Sequence, residues 1–266
     1  MQFVKAHACG NDFLIIDEAV DADRYAEIAR KLCARNTGIG ADGVEFLSLG
    51  DYGAYAIRLF NADGSEAEIS GNGTRCVAAF LAQEEAFHEV SIRTRAGVRR
   101  CTILHRDHPR YRIGTEMGVP SLAAKTITLA DGATVAGLEV SIGNPHFVVF
   151  VTSEDFGCLD RSWQQMGKEI CVHPSFPMGT NAEFVRVIDT DRIDFRIYER
   201  GVGPTQSSGT GSSASAAAAI HSYDLQQCLT VAAEGGEQIV EWPDNGSQLV
   251  LTGPAEIIAQ GECLLL

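Results

Sequence analysis

One device occurs twice in this chain of 266 residues and constrains the fold more than any other feature. An alternating apolar run at 193–198 reads as a strand that ends on Glu199 and Arg200. A glycine-rich loop follows, and Ser208-Gly209-Thr210-Gly211 then opens an alanine-rich helix. Earlier, a strand at 55–60 ends on Asn61, and Ser70-Gly71-Asn72-Gly73 opens a second alanine-rich helix. In both copies nine positions separate the polar residue at the strand end (Asn61, Glu199) from the serine. Serine is a favoured N-cap because its oxygen accepts one of the unpaired backbone N–H groups of the first turn. Glycine lets the backbone approach a ligand closely. A helix start of this kind favours a carboxylate or phosphate.

A second echo supports duplication. Gly10-Asn11-Asp12-Phe13 resembles Gly143-Asn144-Pro145-His146-Phe147. Two related halves, each presenting a helix N-terminus, suggest a single ligand held between them. His146 stands out among the histidines because it occupies this duplicated Gly-Asn element. Glu199 stands out as a carboxylate at a strand end before a glycine loop.

The remaining elements are read from periodicity and turn residues. Strands are expected at 2–7 and 13–17, then a helix over 24–34, then strands at 44–49 and 55–60. The first alanine-rich helix covers 71–86, followed by strands at 89–94, 98–105 and 110–116. The second half repeats the order, with strands at 124–130, 134–141 and 146–152 and a helix over 160–171. Strands at 182–188 and 191–198 lead to the second alanine-rich helix, and strands at 229–233, 238–242 and 248–251 follow it. A last strand at 255–266 returns to the first half. Helices are too few for regular strand–helix alternation. The expected class is therefore α+β, with two pseudo-symmetric domains, each a curled, mostly antiparallel sheet around a central helix. The boundaries are 1–117 plus 255–266 for the first domain and 118–254 for the second.

Composition narrows the function. The net charge of −14 disfavours nucleic acid and anionic membranes as partners. None of the eight cysteines forms a C-x-x-C pair, and no Cys/His cluster has zinc spacing, so no metal is expected. The N-terminal residues do not read as a signal peptide, and no apolar run reaches membrane-spanning length. A cytoplasmic protein with reduced thiols is expected, most of them small core residues. Gly38-Ile39-Gly40-Ala41-Asp42-Gly43 fits G-x-G-x-x-G, but it follows a helix and precedes a strand, the reverse of a dinucleotide-binding turn. Residues 209–214 fit the G-x-G-x-x-A variant and open a helix, yet a long loop separates them from their strand.

At these residues the chain resembles the diaminopimelate epimerase family. The matching stretches are Gly10-Asn11-Asp12-Phe13, 37–43, 60–66, 71–76, 143–146, Asn181, and 199–203 with Gly209-Thr210-Gly211. The resemblance implies an isomerase that interconverts LL- and meso-2,6-diaminopimelate without pyridoxal phosphate or any other cofactor, in lysine and peptidoglycan biosynthesis. It implies two pseudo-symmetric domains with a small amino-acid substrate in the cleft between them, and a homodimer is the expected assembly. In the family two cysteines work on opposite faces of the substrate α-carbon, one removing a proton and the other delivering one. Asn11, Asn61, Gly71, Asn72, Asn144, Asn181, Glu199, Arg200, Gly209 and Thr210 match its substrate-binding residues. His146 and Glu199 match residues that assist the two cysteines.

The chain departs from the family at the two positions that matter most. Ser70 and Ser208 stand where the cysteines are expected, and Pro204 stands where the family has glutamate. A thiol ionises near ~8.5 and lower at a helix N-terminus, whereas an alkyl hydroxyl needs its own base. Cys76, the nearest thiol to Ser70, is six positions further along. Three expectations follow, in order: an epimerase impaired by its serines, a serine-dependent relative with one-base, dehydratase-like chemistry, and a non-catalytic amino-acid-binding protein.

Overall fold

The computed structural model describes residues 1–50, 54–84, 88–244 and 246–264. The chain divides into two compact units, Met1–Glu116 with Thr252–Leu266, and Met117–Leu251.

The first unit begins with β1 (Gln2–Ala8) and β2 (Asn11–Ile16), an antiparallel hairpin turned by Cys9 and Gly10, both at positive φ. α1 (Tyr25–Cys33) carries the chain over to β3 (Gly43–Leu49), which lies parallel to β2. Parallel neighbours need such a crossover. β4 (Tyr55–Asn61) is antiparallel to β3, and the two-residue β5 (Glu66–Ala67) caps the end of β4. α2 (Gly71–Glu84) is the second crossover and leads to β6 (Glu89–Thr94), parallel to β4. β7 (Gly97–Asp107) and β8 (Arg110–Gly118) continue antiparallel.

The second unit repeats this grammar. β9 (Ser121–Thr128) and β10 (Thr134–Ser141) form a hairpin, and β10 turns back into β11 (Pro145–Phe150). α3 (Trp163–Cys171) crosses to β12 (Asn181–Asp189), parallel to β11. β13 (Arg192–Glu199) and the short β14 (Gly203–Thr205) are antiparallel. α4 (Gly209–Ser222) then crosses to β15 (Cys228–Ala233), parallel to β13 and paired with β16 (Gly236–Glu241). The final strand, β17 (Leu249–Glu262), runs antiparallel to β1 and also pairs with β8, which closes the first unit's sheet on itself.

Each sheet curls round one helix. α2 touches β1, β2, β3, β6 and β7, and α4 touches β10 to β13, β15 and β16. α4 is built from alanine, serine and glycine and is buried on every side through Ala219. Small side chains suit a helix that strands surround on all faces. α1 and α3 instead cover the outer sheet surfaces. Leu14, Val44 and Phe46 pack with α1, while Phe13, Ile15, Leu47 and Leu59 face α2. β2 and β3 are therefore buried on both faces, as strands covered by helices on two sides must be.

Three expectations are corrected. The strands expected at 248–251 and 255–266 are one strand, β17; Pro254 lies inside it, and its carbonyl accepts from Arg75 Nε at 3.4 Å. Proline forfeits one ladder donor but keeps an extended φ, so the strand continues. The helix expected from 160 starts at Trp163, because Leu159 and Asp160 adopt positive φ and Ser162 with Gln165 forms a capping box. The strand expected at 124–130 is shifted to Ser121–Thr128. The expected ends of the first alanine-rich helix at 86 and of the last strand at 266 lie outside the described residues.

Candidate active site

In the first unit, β4 delivers Asn61, and the chain returns through β5 to Ser70 at the head of α2. Ser70 Oγ accepts from Gly73 N at 3.0 Å, the N-cap bond expected of it. Gly71 and Asn72 supply the first helical N–H groups and are buried. Asn72 is fixed at both ends. Its Nδ2 donates to Asn11 Oδ1 at 3.2 Å, and its Oδ1 accepts from Arg75 Nη2 at 2.6 Å. Asn11 Nδ2 in turn donates to Asp42 Oδ2 at 2.8 Å. Asp42 is held by Arg35, which also grips Asp12, and Lys5 lies 3.0 Å from Asp12. Burial lifts the Asp12 carboxyl, but hydrogen bonds and charges from Arg35 and Lys5 outweigh it and hold Asp12 below its ordinary value. The line Arg75, Asn72, Asn11, Asp42 thus sets which way each amide points. Asn61 lies apart from that line and donates to Ser65 Oγ at 3.0 Å.

In the second unit, Ser208 caps α4 in the same way. Its Oγ accepts from Gly211 N at 3.2 Å and lies 3.3 Å from Thr210 Oγ1. Glu199, at the end of β13, accepts from Thr205 Oγ1 at 2.6 Å and from Ser208 Oγ at 3.5 Å. Gly209, Thr210 and Asn144 are buried beside the helix start, and Asn144 Nδ2 donates to Thr210 Oγ1 at 3.3 Å. Behind Asn144 stands His146, fully buried, whose Nε2 donates to Asn144 Oδ1 at 2.9 Å. Its Nδ1 lies 2.6 Å from Glu183 Oε1. Burial raises the Glu183 carboxyl, and the His146 charge and hydrogen bond act against that rise. The contact between Nδ1 and Oε1 keeps the imidazole turned so that Nε2 serves Asn144. His146 therefore reaches the serine through Asn144 and Thr210 rather than directly. Asn181 Oδ1 accepts from the Arg200 backbone N–H at 2.9 Å, and Arg200 Nη1 donates to Met178 O.

Asn11, Ser70, Gly71 and Asn72 thus gather at the head of α2, and Asn144, His146, Glu199, Ser208, Gly209 and Thr210 at the head of α4, while Asn61, Asn181 and Arg200 make their hydrogen bonds elsewhere. Cys76 is not a substitute proton carrier. It is fully buried in the α2 core, and burial pushes its thiol far above the ordinary range. Sequence reasoning missed Glu45 and Glu183, two acids wholly inside the units, together with Asp42 and Thr205. The available signal was spacing, since Glu45 precedes Ser70 by 25 positions and Glu183 precedes Ser208 by the same 25. Among the described residues no helix is long and apolar enough to cross a membrane, and no group of three or more potential metal ligands forms.

The chain is similar to known proteins in both sequence and fold. The sequence pattern of the family described as "Diaminopimelate epimerase" matches residues 3–123 and 138–258. A "Diaminopimelate epimerase 1" of a Nostoc species is 38% identical over 98% of this chain and 99% of its own length. A "Diaminopimelate epimerase" of Elusimicrobium minutum is 36% identical over 98% of both chains. In fold the chain is similar to a probable proline racemase from Agrobacterium radiobacter, with a TM-score of 0.77 at 18% identity over 99% of this chain and 93% of that one. It is also similar to a PhzF-family phenazine biosynthesis protein of Bacillus anthracis, with a TM-score of 0.72 at 17% identity over 100% and 99%. Two duplicated helix starts in this scaffold, with relatives matching nearly end to end, place the chain in the diaminopimelate epimerase family.

Proposed function

We propose that this protein is a cofactor-independent amino-acid epimerase that interconverts LL- and meso-2,6-diaminopimelate, a cytoplasmic step in lysine and peptidoglycan biosynthesis. Inversion at an α-carbon needs one group to accept a proton and another to give one. The first unit offers Ser70 and the second offers Ser208. The observation that carries the reading is the contact of Ser208 Oγ with the Glu199 carboxylate at the head of α4. A hydroxyl becomes a proton acceptor only when a neighbouring base takes its own proton, and Glu199 is positioned for that. The bare N–H groups of the helix start favour the substrate carboxylate, onto which charge moves as the α-proton leaves. Asn11, Asn61, Asn72, Asn144, Asn181 and Arg200 supply amide and guanidinium groups suited to two amino-acid ends. Serine in place of a thiol slows the step by roughly 10²–10⁴-fold, the range that attaches to one well-matched acid or base.

Incubation with LL-diaminopimelate in deuterated water, followed by proton NMR and chiral separation, tests this. Slow appearance of the meso isomer with deuterium at the inverted carbon is the expected result. Exchange without inversion would replace the epimerase reading with one-base chemistry. Saturating binding with neither exchange nor inversion would reduce the protein to an amino-acid binder.

A further inference from the structure

Glu45 lies beneath the head of α2 and has no part in the substrate-binding set. It lies on β3, whose side chains alternate between two covered faces. Gly43, Glu45 and Leu47 turn toward α2, and Val44 and Phe46 turn toward α1. The side chain is wholly buried, and neither carboxylate oxygen has a hydrogen-bond partner. Its direction is fixed by Gly73. A Cβ on that residue would overlap Glu45 Oε1 and would lie 3.2 Å from Ser70 Cβ. The carboxyl group therefore stands under the first turn of α2, beside the serine that caps it.

The second unit explains the placement. Glu183 is its equivalent, 25 positions before Ser208 and close under Gly211, where an added Cβ would lie 3.3 Å from Glu183 Oε1 and 3.1 Å from Ser208 Cβ. Glu183 spends its carboxylate on His146. The strand registers pair His146 with Asn181 and Phe13 with Gly43, each two residues before the glutamate. Phe13 thus stands where an imidazole would be needed, and Glu45 is left without a partner. The serines differ in the complementary way. Ser208 donates to Glu199, but the residue nine positions before Ser70 is Asn61, an amide that cannot take a proton.

We infer that Glu45 is the proton acceptor for Ser70, so that each serine of this chain works with one carboxylate. The inference rests on the epimerase reading above. In the step, Ser70 Oγ takes the substrate α-proton while its own hydroxyl proton passes to a Glu45 oxygen. The electron pair of the broken Cα–H bond stays on the substrate and spreads into its carboxylate. In reverse, the Glu45 acid returns its proton to Oγ as Oγ protonates the α-carbon. Glu45 acts through Ser70 and is in that sense a positioning residue.

The surroundings favour the protonated acid, which makes the carboxylate a stronger proton acceptor once formed. Burial alone lifts the Glu45 carboxyl to about 8. Ile15 of β2 and Leu59 of β4 flank it in the sheet and are apolar. From α2 it interacts with Cys76, which stays a thiol. Arg75 turns its Nε and Nη2 to Pro254 and Asn72, its Nη1 is buried without a hydrogen-bond partner, and it contributes nothing to the Glu45 shift. Asp12 and Asp42, at the strand ends, are neutralised by Lys5 and Arg35.

The test is α-proton exchange of diaminopimelate in deuterated water as a function of pH, with Glu45→Gln, Ser70→Cys and the double variant. The wild type should show a rate that rises through about pH 8. Glu45→Gln should lose that limb and fall by roughly 10²–10⁴-fold, with calorimetric affinity essentially unchanged. Ser70→Cys should exchange equally well with or without Glu45→Gln, because a thiolate holds its own charge. An unaltered pH limb in Glu45→Gln overturns the inference. So does an equal loss in the Ser70→Cys background, which would mark a structural role. A readout without turnover separates this from failure of the function itself. The difference spectrum of wild type against Glu45→Gln should show the infrared carbonyl band of a buried acid, and that band should shift in Ser70→Ala. A wild type inert toward diaminopimelate would sink the epimerase reading alone, and a band unmoved by Ser70→Ala would sink the pairing.

Discussion

Oε1 of Glu183 lies 2.6 Å from Nδ1 of His146, and both side chains are fully shielded from water. Such a pair stabilises little by itself because both groups had to leave water, but breaking it exposes the cost of the remaining one. Glu183→Gln leaves the imidazole without its carboxylate and loosens the Asn144 amide in turn. The expected loss is roughly 3–5 kcal/mol, read as a lower urea midpoint at constant slope. A loss under about 1 kcal/mol would mean that Asn144 alone holds the ring.

Glu45 shapes stability in the opposite sense from a paired acid. Its folded value is raised by burial to about 8, above that of an unfolded glutamate. Below the unfolded value both states hold the proton, and the native state carries no penalty. As pH rises the unfolded chain ionises first, so stability falls by up to about 1.4 kcal/mol per pH unit until the folded value is reached. The difference in stability between wild type and Glu45→Gln should therefore grow with pH from about 5 to 8 and then level off. A pH-independent difference would mean that Glu45 ionises normally in the native state.

Glycine at the third position of each central helix leaves room for a neighbouring side chain, Glu45 at Gly73 and Ile197 at Gly211. Alanine there would add about 1 kcal/mol of helix propensity. At Gly73, however, its Cβ would overlap Glu45 Oε1, and at Gly211 it would meet Ile197 Cδ1 at 2.7 Å. Overpacking of this kind costs roughly 1–3 kcal/mol. Gly73→Ala should be net destabilising, and adding Glu45→Ala should recover part of the loss in a double-mutant cycle. Gly211→Ala should be milder, since the tip of an isoleucine can move. Strict additivity of Gly73→Ala and Glu45→Ala would rule out the overlap as the cause.

The helix starts were legible because their grammar is local. A capping serine, glycines and an alanine run within a dozen residues state both the turn and the anion site, and Ser70 and Ser208 bond as that grammar requires. The duplication was legible because the nine-residue spacing repeats. Glu45 and Glu183 were not, because an acid between apolar neighbours in a strand reads as the residue facing water. Only the presence of helices on both faces of β3, α1 outside and α2 inside, reverses that reading. Pro254 misled for a related reason. A proline between two apolar runs marks a break, but Pro254 keeps an extended backbone and forfeits only one ladder donor, so β17 runs through it.

Restoring the thiols gives the most direct test of the scaffold. Ser70 and Ser208 occupy equivalent places, each the cap of a central helix and each accepting a hydrogen bond from the N–H three residues on. Ser70→Cys with Ser208→Cys replaces an oxygen that needs a partner base by a sulfur that ionises near ~8.5 unaided, and lower where the helix dipole favours the thiolate. Stereoinversion needs an acceptor and a donor, so either single variant should raise α-proton exchange more than inversion. The double variant should raise inversion by roughly 10²–10⁴-fold, without strict additivity, because the two groups act in one step. Chiral chromatography of the product mixture, with calorimetry to verify binding, measures both. A folded double variant that binds diaminopimelate and neither exchanges nor inverts it would move suspicion to the loop after Glu199. There Pro204 pairs with Tyr198 and Thr205 takes one oxygen of the Glu199 carboxylate, so a misplaced β14 would misdirect the acid beside Ser208.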